Sequence, residues 1–273
     1  MSINRTIKAL GVAKSTVYYK PKIYPMRERT YRKHPPEAVK LAILEVTGKK
    51  STYGVPRVKA ILKRDYQLEL SKYMVHRLMK EERLLIKRNR TRGASRPHTG
   101  KIAVIEPNKR WASDITSIKC WNGQKLRFTY ILDCCDRSII AWKAGFHMQG
   151  CDIELMLQEA LFNRFGDRMP EKGALQFLHD NGPEYIEKKL KKQVNLWNIE
   201  DCNTPTYSPQ SNGMCEAFNG TFKRDYVYES CLDNPTTVHN QIQAWIDEYN
   251  HFAPHSALGM KTPNEFNNFK FAA

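Results

Sequence analysis

The chain has no run of roughly eighteen uncharged apolar residues, the length a membrane-spanning helix needs. Its start, MSINRTIKALGV, has neither a sustained apolar stretch nor a small-residue cleavage site. A membrane is therefore not expected as a partner, and the cytoplasm is the expected location. Cysteine is scarce and odd in number: seven in 273 residues, with no CxxC and no paired His/Cys spacing of the kind zinc requires. A disulfide framework and a zinc knuckle are thereby excluded; reduced thiols are expected, and adjacent Cys134 and Cys135 read as small core-facing residues. Acidic residues are rare in the first part of the chain. Residues 1–101 hold 7 Asp and Glu against 26 Lys and Arg, whereas residues 102–273 hold 21 against 18. No internal repeat or low-complexity tract stands out.

What is present suffices for a core. A hydrophobic fraction of 41% with 11% aromatics excludes disorder throughout, and the length fits one large or two modest domains. The net charge of +16 points to a polyanion, because each Lys or Arg set against a phosphate releases condensed counterions. Nucleic acid leads, and a solvated basic face is the alternative for charge alone. The asymmetry suggests a basic gripping segment joined to a nearly neutral domain with its own work.

From Pro36 to about Lys50, Val39, Ile43, Leu44 and Val46 predict a helix opened by Pro35-Pro36 and closed near Gly48. After a turn at Tyr53-Gly54, Val58, Ile61 and Leu62 predict a second helix. Ser71 is placed to cap a third, carrying Val75, Leu78, Met79 and Leu84. Such a pair of short helices with a tight link is a helix-turn-helix candidate, in which Lys72, Tyr73, His76, Arg77 and Lys80 face a DNA groove. Packing alone is the competing reading of a basic amphipathic helix. Residues 86–101, IKRNRTRGASRPHTGK, read as a basic linker; Lys87, Arg88, Arg90 and Arg92 are candidate phosphate contacts, and a plain tether is the alternative.

After Pro107 the texture changes. WASDITSIKC, KLRFTYILDCCD and SIIAWKAGF predict three consecutive antiparallel strands with a turn at Asn122-Gly123. A helix over Asp152–Phe165, a strand in ALQFLHD, a charged helix over Pro183–Trp197 and a strand near Ile199–Thr204 follow. Helices over about Asn212–Tyr228 and Thr236–Tyr249 precede a loop and short helix folding back. The order predicts an α/β layered domain with a mixed sheet. Tyr249, Asn250, His255 and Ser256 are read as packing residues before DNA contacts.

Three acids stand in unusual local settings: Asp114 inside the first strand, Asp180 at the end of a later one before Asn181-Gly182, and Glu216 near a helix start after Ser211-Asn212-Gly213. A carboxylate in a buried sheet is costly unless compensated. Each alone reads as an edge-facing or capped acid; together they form a candidate site, since clustered carboxylates call for a cation and hard oxygen ligands select Mg²⁺ or Mn²⁺. Two ions about 3.5–4 Å apart suit in-line displacement at phosphorus. Trp111 reads as buried, and His179 as facing away from Asp180.

WASDIT, LHDNGPEY and SPQSNGMCEAFNGTFKRD resemble the three signature blocks of the DDE superfamily of integrases and transposases, with 35 residues between Asp180 and Glu216. RPHTGK, LDCCDR, PHSALG and TPNEF extend the resemblance over nearly the whole chain, to the OrfB-type transposases of copy-out, paste-in insertion sequences. It implies a ribonuclease-H-like catalytic core and a magnesium requirement. It also implies cleavage of one strand at element ends and transfer of the released 3′ hydroxyl to DNA. On it, Asp114, Asp180 and Glu216 are the catalytic metal ligands, Lys223 contacts terminal DNA and Asn212 shapes the adjoining loop. The partners it implies are double-stranded DNA (element ends and target), further copies of the chain in a synaptic complex, and an upstream-frame fusion partner. The expected organisation is a basic segment (1–35), a helix-turn-helix-like domain (36–85), a basic linker (86–106) and an integrase-like core with C-terminal helices (107–273). The rival readings are a DNA-binding regulator without catalysis and a ribonuclease-H-like nuclease.

Overall fold

The computed structural model describes residues 37–86, 104–203 and 213–271, with a few isolated positions before residue 14. The chain forms two compact units, Met1–Glu37 and Ala38–Ala273. The elements that follow lie in the second, the first helix beginning at the boundary.

Three helices come first: α1 (Glu37–Lys49), α2 (Val55–Asp65) and α3 (Lys72–Glu81). Val39, Ala42, Ile43 and Val46 recur at helical spacing on one side of α1 and are buried against Val58 and Leu62 of α2 and Val75, Leu78 and Met79 of α3. Pro56 stands in the first turn of α2, where its missing N–H costs nothing. The Ser71 hydroxyl accepts from Met74 N at 3.1 Å, the cap expected of it.

The second part is one five-stranded sheet in the order β3-β2-β1-β4-β5. Strands β1 (Arg110–Lys119), β2 (Lys125–Asp133) and β3 (Ile139–Gly145) are antiparallel neighbours. Strand β4 (Leu175–His179) joins β1 in parallel and β5 (Ile199–Asn203) joins β4 in parallel, each reached through a helical crossover. Those crossovers are α4 (Gly150–Phe165) and α5 (Lys188–Leu196), which bury Ile153, Leu157, Leu190 and Val194 against one face. On the other face lie α6 (Gly213–Asp225) and α7 (Pro235–His251), with Phe218, Phe222, Ile242 and Trp245 packed on Phe128 and Tyr130. A last helix, α8 (Pro263–Phe271), is opened by a box in which Thr262 N donates to Glu265 Oε2 and Glu265 N to Thr262 Oγ1. The expected mixed-sheet α/β core preceded by an all-α segment is present.

Several boundaries differ from expectation: the third helix, expected to carry Leu84, ends at Glu81, and the helix expected to end at Tyr249 runs on to His251. The helix expected from Pro183 begins only at Lys188, because Tyr185 is drawn beneath the sheet and residues 182–186 close as a turn, Tyr185 N donating to Gly182 O at 3.0 Å. The helix expected to reach Tyr228 ends at Asp225 and continues as a short 3₁₀ turn, Val227–Glu229. The helix expected from Asp152 starts at Gly150, because Gln149 and Asp152 form its capping box. LDCCDR proves architectural: Asp133 accepts from the N–H groups of Asn108 and Cys135, while buried Asp136 pairs with Arg164 at 2.9 Å. Tyr249 and His255 pack edge to face, and Asn250 brackets the backbone N–H and carbonyl of Ile139, so these residues pack as expected.

The helical segment is fastened to the end of α6 and to α7. Arg57 pairs with buried Asp225 at 2.5 Å, Lys50 with Glu248 at 2.7 Å, and the Ser51 hydroxyl donates to Glu229 at 2.9 Å.

Candidate active site

Side chains alternate along β1. Ala112 and Ile118 lie in the core beneath α6 and α7, Trp111 in the core on the other face, so Asp114 shares the α6 face. In the parallel pairing Trp111 stands beside Phe177 and Ala112 beside Leu178. Two residues further along both strands, that register sets Asp114 next to Asp180, the first residue beyond β4.

Asp180 is fixed by its turn. Its Oδ1 accepts from Gly182 N at 3.0 Å, an Asx-type turn, and a Cβ at residue 182 would meet the same oxygen at 3.0 Å. Beneath it, His179 is buried, its Nδ1 2.6 Å from the Asp180 carbonyl and its Nε2 2.7 Å from Asp201 Oδ1. The His179 ring stacks on Tyr185 at 4.7 Å, and the Tyr185 hydroxyl lies 2.8 Å from Ser113 Oγ. The segment after Asp180 is thus tied to β1 on the face away from α6.

Glu216 lies in the first turn of α6, exposed, while Cys215, Phe218 and Phe222 bury the adjoining side of the helix. Asn219 is one turn on. Its Nδ2 donates to Asp114 Oδ2 at 2.7 Å, and its Oδ1 accepts from the Tyr130 hydroxyl at 3.1 Å. Glu216, Asn219 and Lys223 therefore follow one stripe of α6 at i, i+3 and i+7, a stripe directed at Asp114 through Asn219. Lys223 is half-buried on it.

The electrostatics fit convergence. Burial pushes the Asp114 carboxyl above its ordinary range, and the negative charges of Asp180 and Glu216 push the same way, against hydrogen bonds from Asn219 and the Ile115 backbone. Among the described residues no three His, Cys, Asp or Glu side chains already stand together as a ligand cluster. The oxygens of Asp114 and Asp180 instead take donors from Asn219 and Gly182. The donor set still suits a hard divalent cation: carboxylate oxygens from three elements, one of them partly buried and repelled by the other two.

Of the candidate DNA contacts, Lys72 is exposed on α3, with Tyr73, His76 and Lys80 around it. Arg77 lies along its own helix, Nη2 3.2 Å from Met74 Sδ and Nε 3.6 Å from Glu81, and is not presented outward. Asn212, Lys87, Arg88, Arg90 and Arg92 lie outside the described residues. Sequence reasoning missed Asn219 and Asp201. The signal for Asn219 was its spacing, three residues after Glu216 on one helix face; Asp201, from a separate strand, left none.

Three family models match the chain: an HTH-like domain over residues 36–92 and two Integrase core domain models over 105–209 and 198–263. The transposase InsD of insertion element IS2 from Escherichia coli is 37% identical over 239 residues, covering 84% of this chain and 77% of that protein. An uncharacterized protein of insertion element IS136 from Agrobacterium fabrum is 40% identical over 186 residues, covering 67% and 94%. Among solved structures, the simian T-cell lymphotropic virus intasome in complex with a PP2A regulatory subunit contains a chain of like fold. Its TM-score is 0.51 at 20% identity, covering 76% of this chain and 73% of that one.

Proposed function

This chain belongs to the insertion-element transposases that join an HTH-like domain to an integrase core, and on that premise we propose that Asp114, Asp180 and Glu216 are its catalytic carboxylates. It is an insertion-sequence transposase, a polynucleotidyl transferase of the DDE kind. The reaction cleaves one strand at each element end: a water oxygen attacks phosphorus in line and the bond to the 3′ oxygen breaks, releasing a 3′ hydroxyl. That hydroxyl then attacks a target phosphodiester, forming one phosphorus–oxygen bond as another breaks, so the transfer needs no outside energy source.

The observation that carries the assignment is the bridge from Asn219 to Asp114, which ties the Glu216 helix to the strand whose parallel neighbour runs out into Asp180. Integrase cores work with divalent metal; here Asp114, Asp180 and Glu216 would hold it, as two Mg²⁺ or Mn²⁺ ions. When bound, such a pair lowers the cost of charge on the attacking and leaving oxygens. Asp114 is anchored by Asn219 and Asp180 by its turn, so both offer oxygens in fixed positions to the cations they would hold. Lys223, on the Glu216 stripe, would meet a phosphate of the terminal DNA, and Asn212 would shape the loop beside the site.

The DNA is duplex, at element ends and target. Lys72 and Arg77 of the HTH-like segment and Lys87, Arg88, Arg90 and Arg92 after it supply phosphate contacts, Arg77 after leaving its place along α3. Two ends held together call for at least two copies of the chain, and an upstream-frame product fused to it is a further partner. The domain limits expected from sequence, with a basic linker over 86–106, belong to the same proposal. No helix among the described residues is long and apolar enough to cross a membrane.

The test is metal-dependent cleavage and strand transfer on labelled element-end DNA, comparing the chain with Glu216→Gln, in Mg²⁺ and in EDTA. Activity in wild type with Mg²⁺ alone supports the assignment. Equal activity in the variant would refute it, and binding without cleavage in wild type would favour the regulator reading.

A further inference from the structure

Strands β1 and β2 close in the tight turn Trp121–Gln124. Lys119 and Lys125 are direct partners across this hairpin, both exposed, and neither makes an ion pair among the described residues. Like charges set directly opposite on an antiparallel pair repel, so the hairpin holds two ammonium groups together with no ion-paired counter-charge among the described residues. Arg127 follows on the same face, pairing with Glu184 at 2.6 Å, in the turn that begins at Asp180. Trp121 stands at the tip with 68% of its surface exposed. Phe146, 57% exposed, leaves β3 just after Gly145, the cross-strand partner of Arg127.

The tip is held in place. Trp121 N donates to the Leu232 carbonyl at 2.7 Å, Gln124 N donates to Asn122 Oδ1 at 3.0 Å, and Gly123 takes the positive φ of 85° that closes the turn. The tryptophan is therefore exposed by a defined backbone and not by fraying. Unpaired lysines beside exposed aromatic rings on a strand end are the composition of a surface that meets a phosphate backbone and stacks on what lies beside it.

We propose that this hairpin tip is a further duplex-DNA contact of the protein, separate from the HTH-like helices, with Lys119 and Lys125 on phosphates and Trp121 against the exposed sugar–base edge. The occupant is DNA and not an acidic protein because the lysine pair closes β1, the strand that carries Asp114, on its other face, and Arg127 beside it pairs with Glu184, four residues beyond Asp180, so the patch borders the turn of the proposed active site. That identification rests on the proposed active site; the geometry of the patch does not. Element-end DNA and target DNA present the same backbone chemistry, and the experiment separates them.

The full chain is compared with the Lys119→Ala/Lys125→Ala double variant, with Trp121→Ala, and with a Lys119→Arg/Lys125→Arg control. Binding is read by fluorescence anisotropy over a salt series on two labelled duplexes, one carrying the element end and one of unrelated sequence. The alanine pair should lower the slope of log affinity against log salt by nearly two units, while the arginine pair keeps it. Trp121→Ala should lose roughly tenfold in affinity with the slope unchanged. Loss on one duplex only identifies which DNA the hairpin holds; loss on both marks a sequence-independent contact. Unchanged slope and affinity on both overturns the proposal. Because the readout is binding, carboxylate variants that kept full cleavage would sink the active-site reading without altering this result.

Discussion

The amide of Asn219 reaches 2.7 Å from Asp114 Oδ2, and this single bond joins the helix of Glu216 to the central strand of the sheet. Its other end is also held, Asn219 Oδ1 accepting from buried Tyr130. Asn219 is therefore a positioning residue for Asp114. Replacing it with alanine should lower strand transfer roughly 10- to 100-fold, the usual cost of losing a group that orients a metal-binding carboxylate. The Mg²⁺ concentration at half-activity should rise, and DNA affinity should hold. Asn219→Asp adds a fourth carboxylate and should be worse, despite matching size. A magnesium titration of both variants checks this; an unchanged magnesium midpoint in Asn219→Ala would remove the positioning role.

Gly182 is a second test of how Asp180 is aimed. An alanine Cβ there meets Asp180 Oδ1 at 3.0 Å and Glu184 Oε2 at 3.2 Å, both far ends of side chains that yield by rotating. The fold should tolerate Gly182→Ala with little change in melting temperature, while cleavage falls at least about tenfold, since displacements of about 1 Å at a reacting group carry such costs. Circular-dichroism melting beside a cleavage assay separates the two effects. A large drop in melting temperature would mean that the turn serves the fold and not the site.

Much of this was legible beforehand, for physical reasons that differ by element. The three antiparallel strands announced themselves through β-branched and aromatic runs, and Ser71 through its capping position. Asp114 and Asp180 drew attention because a carboxylate inside a strand or just beyond one is costly enough to need an explanation, and Glu216 because it follows a loop-to-helix start; their catalytic role is the proposal made above. The late start of α5 at Lys188 was not legible, because it follows from Tyr185 reaching Ser113 and Thr129 across more than fifty residues of sequence. The same holds for Asp201 under His179 and for Arg57 on Asp225, partners supplied by tertiary packing alone. The Lys119–Lys125 pairing depended on strand register, which the turn at Asn122-Gly123 suggested but did not state.

The contact between the helical segment and the core rests on a buried charge. Burial alone would push the Asp225 carboxyl up, but hydrogen bonds from Arg224 and Arg57, with the Arg57 charge, outweigh it and leave it below its ordinary range. Arg57→Ala removes one partner and leaves Arg224, so the expected loss is about 3 kcal/mol, the low end for breaking such a pair. Arg57→Lys should recover only part of it, lacking the planar fork. Urea unfolding of the three proteins checks the order. Equal stability of Arg57→Ala and wild type would show that Arg224 alone satisfies Asp225.

His255 gives a pH dependence with a defined window. Burial holds its ring neutral, pushing the pKa down to about 4, and the positive charges of Arg57 and Arg137 act in the same direction against a hydrogen bond to the backbone of Tyr249. Above pH 6.5 the ring is neutral whether folded or not, and it costs nothing. As pH falls from about 6.5 to about 4, the unfolded chain takes up a proton that the fold refuses, and stability falls by about 3 kcal/mol. Asp225 acts in a different window: its stabilisation is present above the ordinary carboxylate range and is lost only as pH falls through its depressed pKa. Urea midpoints at pH 7.5 and 4.5 for wild type and His255→Gln isolate the histidine. The glutamine variant should lose distinctly less stability between the two, and an identical loss would exclude His255 as the source.

Asp114 makes the opposite prediction, and it separates an active-site carboxylate from a structural one. Its pKa is raised, by burial first and by Asp180 and Glu216 after it, so the charged form, the one that would hold a cation, is the form the fold resists. A raised carboxyl pKa means the native state binds the proton more tightly than the unfolded chain, so this group adds stability as pH falls and withdraws it as pH rises. Asp114→Asn keeps an acceptor for the Asn219 amide and removes the repelled charge. In EDTA at pH 7.5 the variant should therefore melt at or above the wild-type temperature, although cleavage and strand transfer are abolished and DNA binding is largely kept. Adding Mg²⁺ should raise the wild-type melting temperature, because a ligand of the native state alone stabilises it by mass action, and should leave Asp114→Asn nearly unmoved. A variant that melts well below wild type in EDTA would mark Asp114 as a group that holds the sheet together, and the metal-binding role would then fall to other carboxylates.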